Sequence, residues 1–331
     1  MKVMLLGASG LLGHNMLQRL MAEGHNVVAL VRRPGSIKLQ GGGWQEIVGT
    51  PLDYETLSKT AEGCDAVINC AGVTDMSLRR IDDYLPVNRD LPEMIVRVME
   101  SHGIKSLVHT STVNTIGYGS AIQPADETVP MREPFVDSFY AKSKRKGEQA
   151  VLEAARQQPD WHVVVINPGF MIGAWDVKPS SGRMLQLAYN KSVAYAPRGG
   201  KAFVAVQDVA EAAVNALTKG SNGERYIVTN SRGCLSIKEL YQMQARVMGY
   251  SQKVVTLPNW LLATAGRVGD MLRCMGVRTE VSTRNVRQLM VREYYDNSHG
   301  TCELGYHETP IEEAVEQYHR WVEENNKKIK I

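Results

Sequence analysis

Charge of one sign is the first thing this sequence lacks. Its 38 lysines and arginines stand against 35 aspartates and glutamates, a formal net charge of +3, too balanced for the electrostatic footprint of a nucleic-acid or membrane binder. Cysteine is sparse as well. Cys64, Cys70, Cys234, Cys274 and Cys302 are scattered, odd in number and never spaced as CxxC, which argues against a disulfide framework or a zinc site and suits reduced thiols in a cytoplasm. The eight histidines show no HExxH or other clustered ligand spacing, so no metal is expected. Long apolar runs are missing too: none approaches the roughly 20 residues of a membrane helix. The N-terminal run Val3 to Leu6 meets glycine too soon to be a signal peptide. No repeat or low-complexity linker divides the chain. These absences leave a cytoplasmic protein whose partner is a small molecule, with no nucleic acid and no membrane, and with a homodimer as the commonest form if it assembles.

What is present is alternation. Short apolar runs (VMLLG, NVVALV, QEIVG, AVINCA, SLVHTS, HVVVIN) are separated by stretches of helical period at Leu11 to Ala22, Glu55 to Ala61, Leu91 to Ser101 and Ser138 to Arg156. Gly24, Gly63 and Gly103 follow the first three, as expected where a helix stops in a left-handed residue. Strands apolar on both faces imply a parallel sheet covered on both sides. The predicted fold is α/β, a doubly wound parallel-sheet Rossmann fold with a smaller, mostly helical C-terminal substrate-binding region. Residues 1–168 make the dinucleotide-binding domain and 169–331 the substrate-binding region, from which about 202–230 (KAFVAV, DVAEAAVNALTKG, RYIVTN) returns to the first. From Leu235 onward the chain is mostly helical, with apolar and aromatic residues suited to roofing a cleft.

Three motifs carry chemistry. In GASGLLG, Gly7 permits a tight strand-to-helix turn, Gly10 a close approach of backbone to a pyrophosphate and Gly13 close packing of helix on sheet, while the helix N-terminus aims free amides at phosphate. At the end of the second strand, where a carboxylate would hold an NAD ribose, VVALVRRPG has Arg32 and Arg33, whose guanidinium forks match a 2′-phosphate. The expected cofactor is NADP, with NAD as the alternative. In SFYAKSKRKGEQ, Tyr140 and Lys144 stand four apart on one helical face, and a nearby ammonium is expected to lower the phenol pKa and make Tyr140 an acid or base. The hydroxyl cluster Thr110-Ser111-Thr112 precedes them at a strand end.

With these residues in place, the chain resembles the extended short-chain dehydrogenase/reductase family, the group of NAD(P)-dependent epimerases, dehydratases and reductases, almost end to end. GASGLLG is similar to its glycine motif, GCDAVINCAG to its fourth-strand segment, HTSTVNTIG to its hydroxyl segment, YAKSK to its YxxxK, and INPGFMIG to the segment beside the nicotinamide. The resemblance implies that Tyr140 passes the proton, that Lys144 holds the nicotinamide ribose and lowers the tyrosine pKa, and that Thr112 positions the carbonyl. It further implies cofactor contacts from Gly7, Ser9, Gly10, Leu11, Leu12 and Gly13, from Leu52 and Asp53, from Cys70, Ala71 and Gly72, and from Asn88, Thr110, Pro168, Gly169 and Met171. Where the family has Gly-Asp-Leu, this chain reads Gly49-Thr50-Pro51-Leu52 before Asp53. Asn167-Pro168 and VRRP are similar to the dihydroflavonol-reductase branch.

The leading expectation is an NADP-dependent carbonyl reductase or alcohol dehydrogenase with a pocket drawing on Thr74, Met76, Phe139, Phe170 and Met184. A second is a sugar-nucleotide epimerase or dehydratase, whose diphosphate would be met by Arg183, Arg198 and Lys201. The third is a sensor or scaffold that binds NADP without turnover, which has no need of the tyrosine–lysine pair.

Overall fold

The computed structural model describes residues 1–39, 41–177 and 181–329. The chain opens with β1 (Lys2–Leu6), α1 (Leu11–Ala22), β2 (Asn26–Val31), β3 (Trp44–Val48), α2 (Tyr54–Ala61) and β4 (Ala66–Asn69). It continues through α3 (Leu91–His102), β5 (Ser106–Thr110), α4 (Phe139–Gln157) and β6 (His162–Pro168). The second half holds β7 (Phe170–Ile172), α5 (Gly182–Ala188), β8 (Val193–Ala196), β9 (Gly200–Ala205), α6 (Val206–Asn215) and β10 (Glu224–Val228). It ends with β11 (Cys234–Ser236), α7 (Ile237–Val247), β12 (Lys253–Thr256), α8 (Asn259–Cys274), α9 (Thr283–Gln288), α10 (Ser298–Leu304) and α11 (Ile311–Ile329).

Seven strands form one sheet in the order β10-β6-β5-β4-β1-β2-β3, every neighbour pair parallel. The period of 2 sorts its side chains into two cores. Val3 and Leu5 join Leu17, Leu20 and Val209 on the face of α1 and α6; Met4 and Leu6 join Leu57, Ile95 and Val151 on the face of α2, α3 and α4. This is the Rossmann architecture expected from the strands' apolar runs. Because all the strands run one way, the ends of β1, β2, β4, β5 and β6 lie along one edge, where ligands of such sheets bind.

Local chemistry sets the boundaries. The run AVINCA stops pairing at Asn69, whose side-chain oxygen takes the Ala71 amide at 3.1 Å and turns the chain. Gly169 follows β6 with no room for a side chain, since a Cβ there would lie 2.3 Å from the Ala202 carbonyl oxygen. That approach brings β9 beside β7, in a separate three-stranded sheet with β11. The strand-like KAFVAV therefore does not enter the large sheet, whereas α6 packs on α1 and β10 does become the sheet's edge.

The expectation that the late apolar residues roof a cleft needs correction at α8. Trp260, Met271 and Met275 are 68%, 62% and 70% exposed. Gly266 and Gly269 press instead on the backbone of Thr283 and Val281, and the polar side turns inward, with Asp270 accepting from the Thr283 amide and Arg273 donating to the Thr279 and Met76 carbonyls. Among the described residues no helix is long and apolar enough to cross a membrane.

Candidate active site

The site begins at the turn from β1 into α1. Gly7 sits at φ +88°, and a Cβ there would lie 2.7 Å from the Ala71 nitrogen; a Cβ on Gly13 would lie 2.1 Å from the Gly7 carbonyl oxygen. Only glycine fits either place. Gly10 is the N-cap of α1 and offers no side-chain cap, so the amides of Leu11 and Leu12 end the helix as free donors suited to a phosphate. Ser9 and Gly10 are exposed beside them. The residues here fit the pyrophosphate of a dinucleotide.

The sheet register sets Leu30 beside Leu6, so Arg32 lies level with the glycine turn. Arg32 and Arg33 are both exposed. His14 is a residue the sequence reading overlooked, one position past Gly13. It is completely buried, its Nδ1 lies 3.1 Å from the Gly10 carbonyl and its Nε2 3.3 Å from the Lys38 amide, and it stacks on Trp175 with ring centroids 5.0 Å apart. A carbonyl can only accept and an amide only donate, so the ring is the neutral Nδ1–H tautomer. Burial lowers its pKa to match. His14 thereby ties the glycine turn to the loop carrying the arginines, a role without a signal in the sequence because Lys38 is 24 residues away.

Asp53 has a nearer task than adenine. Its carboxylate caps α2, accepting from the Thr56 amide at 2.9 Å and the Thr56 hydroxyl at 2.5 Å, and these bonds lower its pKa. Leu52 beside it is 40% exposed. After β4, the Cys70 thiol donates to the Leu6 carbonyl at 3.0 Å, and burial raises its pKa to about 12. Asn88, in a π-helical turn at Pro86–Asp90, pins the loop following Gly72: its oxygen takes the Val73 amide at 2.8 Å and its NH2 donates to the Val73 carbonyl at 3.0 Å and to Ser143 at 2.9 Å.

At the end of β5 the three hydroxyl residues separate. Ser111 turns into the protein and donates to Glu148 at 2.6 Å. Thr112 turns the other way, toward the Tyr140 phenol, and its hydroxyl takes the Asn114 amide at 3.3 Å. This is the alternation a strand imposes, and it selects Thr112 over Ser111 as the hydroxyl beside the tyrosine. Thr110 lends its carbonyl to the Lys144 ammonium at 2.6 Å, while its own buried hydroxyl has no partner among the described residues, an open polar position fit for a cofactor hydroxyl.

Tyr140 and Lys144 do share a face of α4, whose N-cap is Ser138. Their titration differs from the expected lowering of the phenol. Burial raises the Tyr140 pKa, and the opposing influence is the Thr112 hydrogen bond, not the lysine. Lys144 itself is 4% exposed and is pushed down by burial to about 8, with the Glu148 charge pulling it up. The ammonium is directed at Thr110, so it acts on this tyrosine less than four-residue spacing alone suggests.

Beneath this group lies a second residue that the sequence reading passed over. Glu148, fully buried, accepts at one oxygen from Ser111, from Thr115 at 2.7 Å and from the Asn167 amide at 3.0 Å. At the other it meets Arg145 and, at 3.0 Å, Arg225. Asn167 also donates to the Thr112 carbonyl at 3.1 Å. The carboxylate thus joins α4 to the ends of β5 and β6. Its only sequence signal is its place four residues after Lys144.

Pro168 closes β6 with Gly169 after it, and Met171 packs partly against the core under α1. Of the proposed pocket residues, Thr74 is exposed and the Met76 carbonyl is held by Arg273 at 2.7 Å and Asn285 at 2.8 Å. Phe139 lies under the Arg284 guanidinium at 3.7 Å. Phe170 meets Phe203 edge-on at 5.4 Å and packs, with Met184, against the core of the C-terminal region. The cations considered for a diphosphate are engaged elsewhere in two of three cases: Lys201 is buried against Glu293, and Arg183 pairs with Glu280 at 2.8 Å. Arg198 is exposed. Among the described residues no cluster of His, Cys, Asp and Glu could hold a metal ion.

A glycine-lined phosphate cradle and a Thr/Tyr/Lys group along one edge of a parallel sheet define a dinucleotide-binding α/β protein. Residues 3–230 match the model of the NAD dependent epimerase/dehydratase family. The chain belongs to that family and is an NAD(P)-dependent oxidoreductase of the extended short-chain dehydrogenase/reductase type. Among its relatives, a Synechocystis protein provisionally named dihydroflavonol 4-reductase is 27% identical, covering 95% of this chain and 92% of its own. The 4-hydroxy-2-methyl-3-oxo-4-farnesyl-3,4-dihydroquinoline-1-oxide ketoreductase of Stigmatella aurantiaca is 29% identical over 82% of this chain and 80% of its own. The UDP-glucose 4-epimerase of Thermotoga maritima shares the fold, with a TM-score of 0.78 at 17% identity over 98% of this chain and 99% of its own.

Proposed function

We propose that this protein is an NADP-dependent carbonyl reductase or alcohol dehydrogenase acting on a lipophilic small molecule, with Thr112, Tyr140 and Lys144 as its catalytic residues. The observation that carries the reading is the half-buried Tyr140 beside Thr112, with the Lys144 ammonium held on the Thr110 carbonyl behind it. When bound, the nicotinamide cofactor supplies or accepts the hydride. The chain's own part is the proton: Thr112 orients the substrate oxygen, and Tyr140, kept protonated by burial, donates to it in the reductive direction. Lys144 and Thr110 offer an ammonium and a free hydroxyl to a ribose.

Exposed Arg32 and Arg33 level with the phosphate cradle favour a 2′-phosphate, hence NADP over NAD. The similarity to a ketoreductase of a farnesylated substrate supports a lipophilic carbonyl. A sugar-nucleotide reading loses ground because Lys201 and Arg183 are paired with carboxylates. A purely cofactor-binding role leaves the Thr112–Tyr140 pair without a task.

The test is fluorescence titration with NADPH and NADH, then a carbonyl panel with the preferred form. NADPH is expected to bind at least about tenfold more tightly, about 1.4 kcal/mol, and Arg32→Glu to abolish that preference; tighter NADH binding would exclude the role given to Arg32. Tyr140→Phe should lower kcat by about 10² to 10⁴ while NADPH affinity stays within about twofold, whereas retained turnover would remove Tyr140 from the chemistry.

A further inference from the structure

The apolar side of α8 faces outward, and its surroundings say what covers it. Leu261, Val268, Met271 and Met275 with Trp260 form one exposed stripe along the helix, spaced at three, four and seven residues as one face requires. A contiguous apolar surface of this kind marks an interaction site. The helix adds no carboxylate to it, because its one acid, Asp270, is turned inward onto the Thr283 amide.

The chain enters α8 from a small ladder with the same character. β8 pairs with β12, setting Val193 beside Lys253 and Tyr195 beside Val255, and the Leu257 amide donates to the Ala196 carbonyl just before the helix begins. Val193 and Tyr195 are 39% and 62% exposed. Residues 187–200 contain no aspartate or glutamate, yet hold Lys191 and Arg198. Those two, with Lys253 and Arg267, are exposed and have no ion pair among the described residues.

We propose that this face docks on the surface of an anionic lipid bilayer. An outward stripe of tryptophan, leucine, valine and methionine enters the interface, with Arg267 on the same helix and with exposed Tyr195, Lys191, Arg198 and Lys253 on and around the ladder that leads into it, the cations for acidic headgroups. A second copy of the chain is a poorer partner. In a two-fold contact the same patch meets itself, bringing unpaired cations together with no carboxylate to answer them. The near-zero net charge of the whole chain hides this local excess of unpaired cations. The inner side of α8 meanwhile grips the Met76 carbonyl through Arg273, so docking would hold the bilayer next to the proposed pocket. The docking does not depend on the reaction assigned to that pocket.

Flotation of the full chain with vesicles tests the idea, using phosphatidylcholine alone and phosphatidylcholine mixed with phosphatidylglycerol. The wild type is expected to float with the anionic vesicles and to be released by salt. The double variant Met271→Ser/Met275→Ser and the single variant Arg267→Glu, both at exposed positions, should each weaken flotation about tenfold with circular dichroism and NADPH affinity unchanged. The proposal is overturned if the wild type floats with neither vesicle, if both variants float like the wild type, or if sedimentation shows a dimer that the double variant splits.

Discussion

At Lys144 a single buried ammonium carries a cost in stability and, in the proposed reaction, the contact with the ribose. Its pKa falls from 10.5 to about 8 because burial disfavours its charged form. The sign follows. Between about 8 and 10.5 the unfolded chain binds more protons than the folded one, so stability attributable to this group rises with pH across that window. Below it the penalty is complete. Lys144→Met is therefore expected to stabilise the cofactor-free protein by about 1–2 kcal/mol near neutral pH while abolishing turnover. Urea unfolding of the two proteins should show the difference shrinking as pH rises from about 8 toward 10.5; a variant less stable than the wild type at neutral pH would show that the Thr110 contact outweighs burial. Tyr140, Lys144 and Thr112 were legible as residues, since spacing along a helix and alternation along a strand are local properties. The direction of the Tyr140 shift was not, because burial is a property of everything packed around the ring.

At the scale of elements, α4 is fixed at its first turn and at its middle. Ser138 caps its first turn, and Glu148 fastens its middle to β5 and β6 through Ser111, Thr115 and Asn167. Removing a buried carboxylate that meets two arginines leaves their charges without an answer. Glu148→Ala should cost about 3–5 kcal/mol in denaturant unfolding. Glu148→Gln keeps the shape and much of the hydrogen bonding, so it should fold, bind NADPH and yet lose kcat as Thr112 loosens. A glutamine variant with unaltered kcat would confine Glu148 to stability. Helices α1 and α3 and the six first strands follow from periodicity and glycine stops, within a residue or two. β9 escaped that reading: an apolar run does not say which sheet it joins, and Gly169 settles that by the approach it permits to Ala202.

For the whole molecule the decisive contacts join distant parts of the chain. Arg273 and Asn285, from α8 and α9, both donate to the carbonyl of Met76, and Arg278 pairs with Asp75 at 2.5 Å. The C-terminal region thus holds the loop after β4 over the sheet edge. Asn285→Ala should raise KM for a carbonyl substrate several-fold with kcat and NADPH affinity little changed; a fall in kcat alone would mean that the clamp shapes the reacting geometry instead of the pocket. The sequence by itself determined the parallel sheet, the glycine cradle, the arginines level with it and the Thr/Tyr/Lys group, because each is written in neighbours a few residues apart. Only the tertiary structure decided that Ser111 faces inward and Thr112 toward Tyr140, that Asp53 caps a helix, that Glu148 ties three elements together and that α8 shows its apolar side to the outside. Those outcomes depend on which surfaces meet across the fold, and residues up to 209 positions apart, as Met76 and Asn285 are, meet only once the chain is packed.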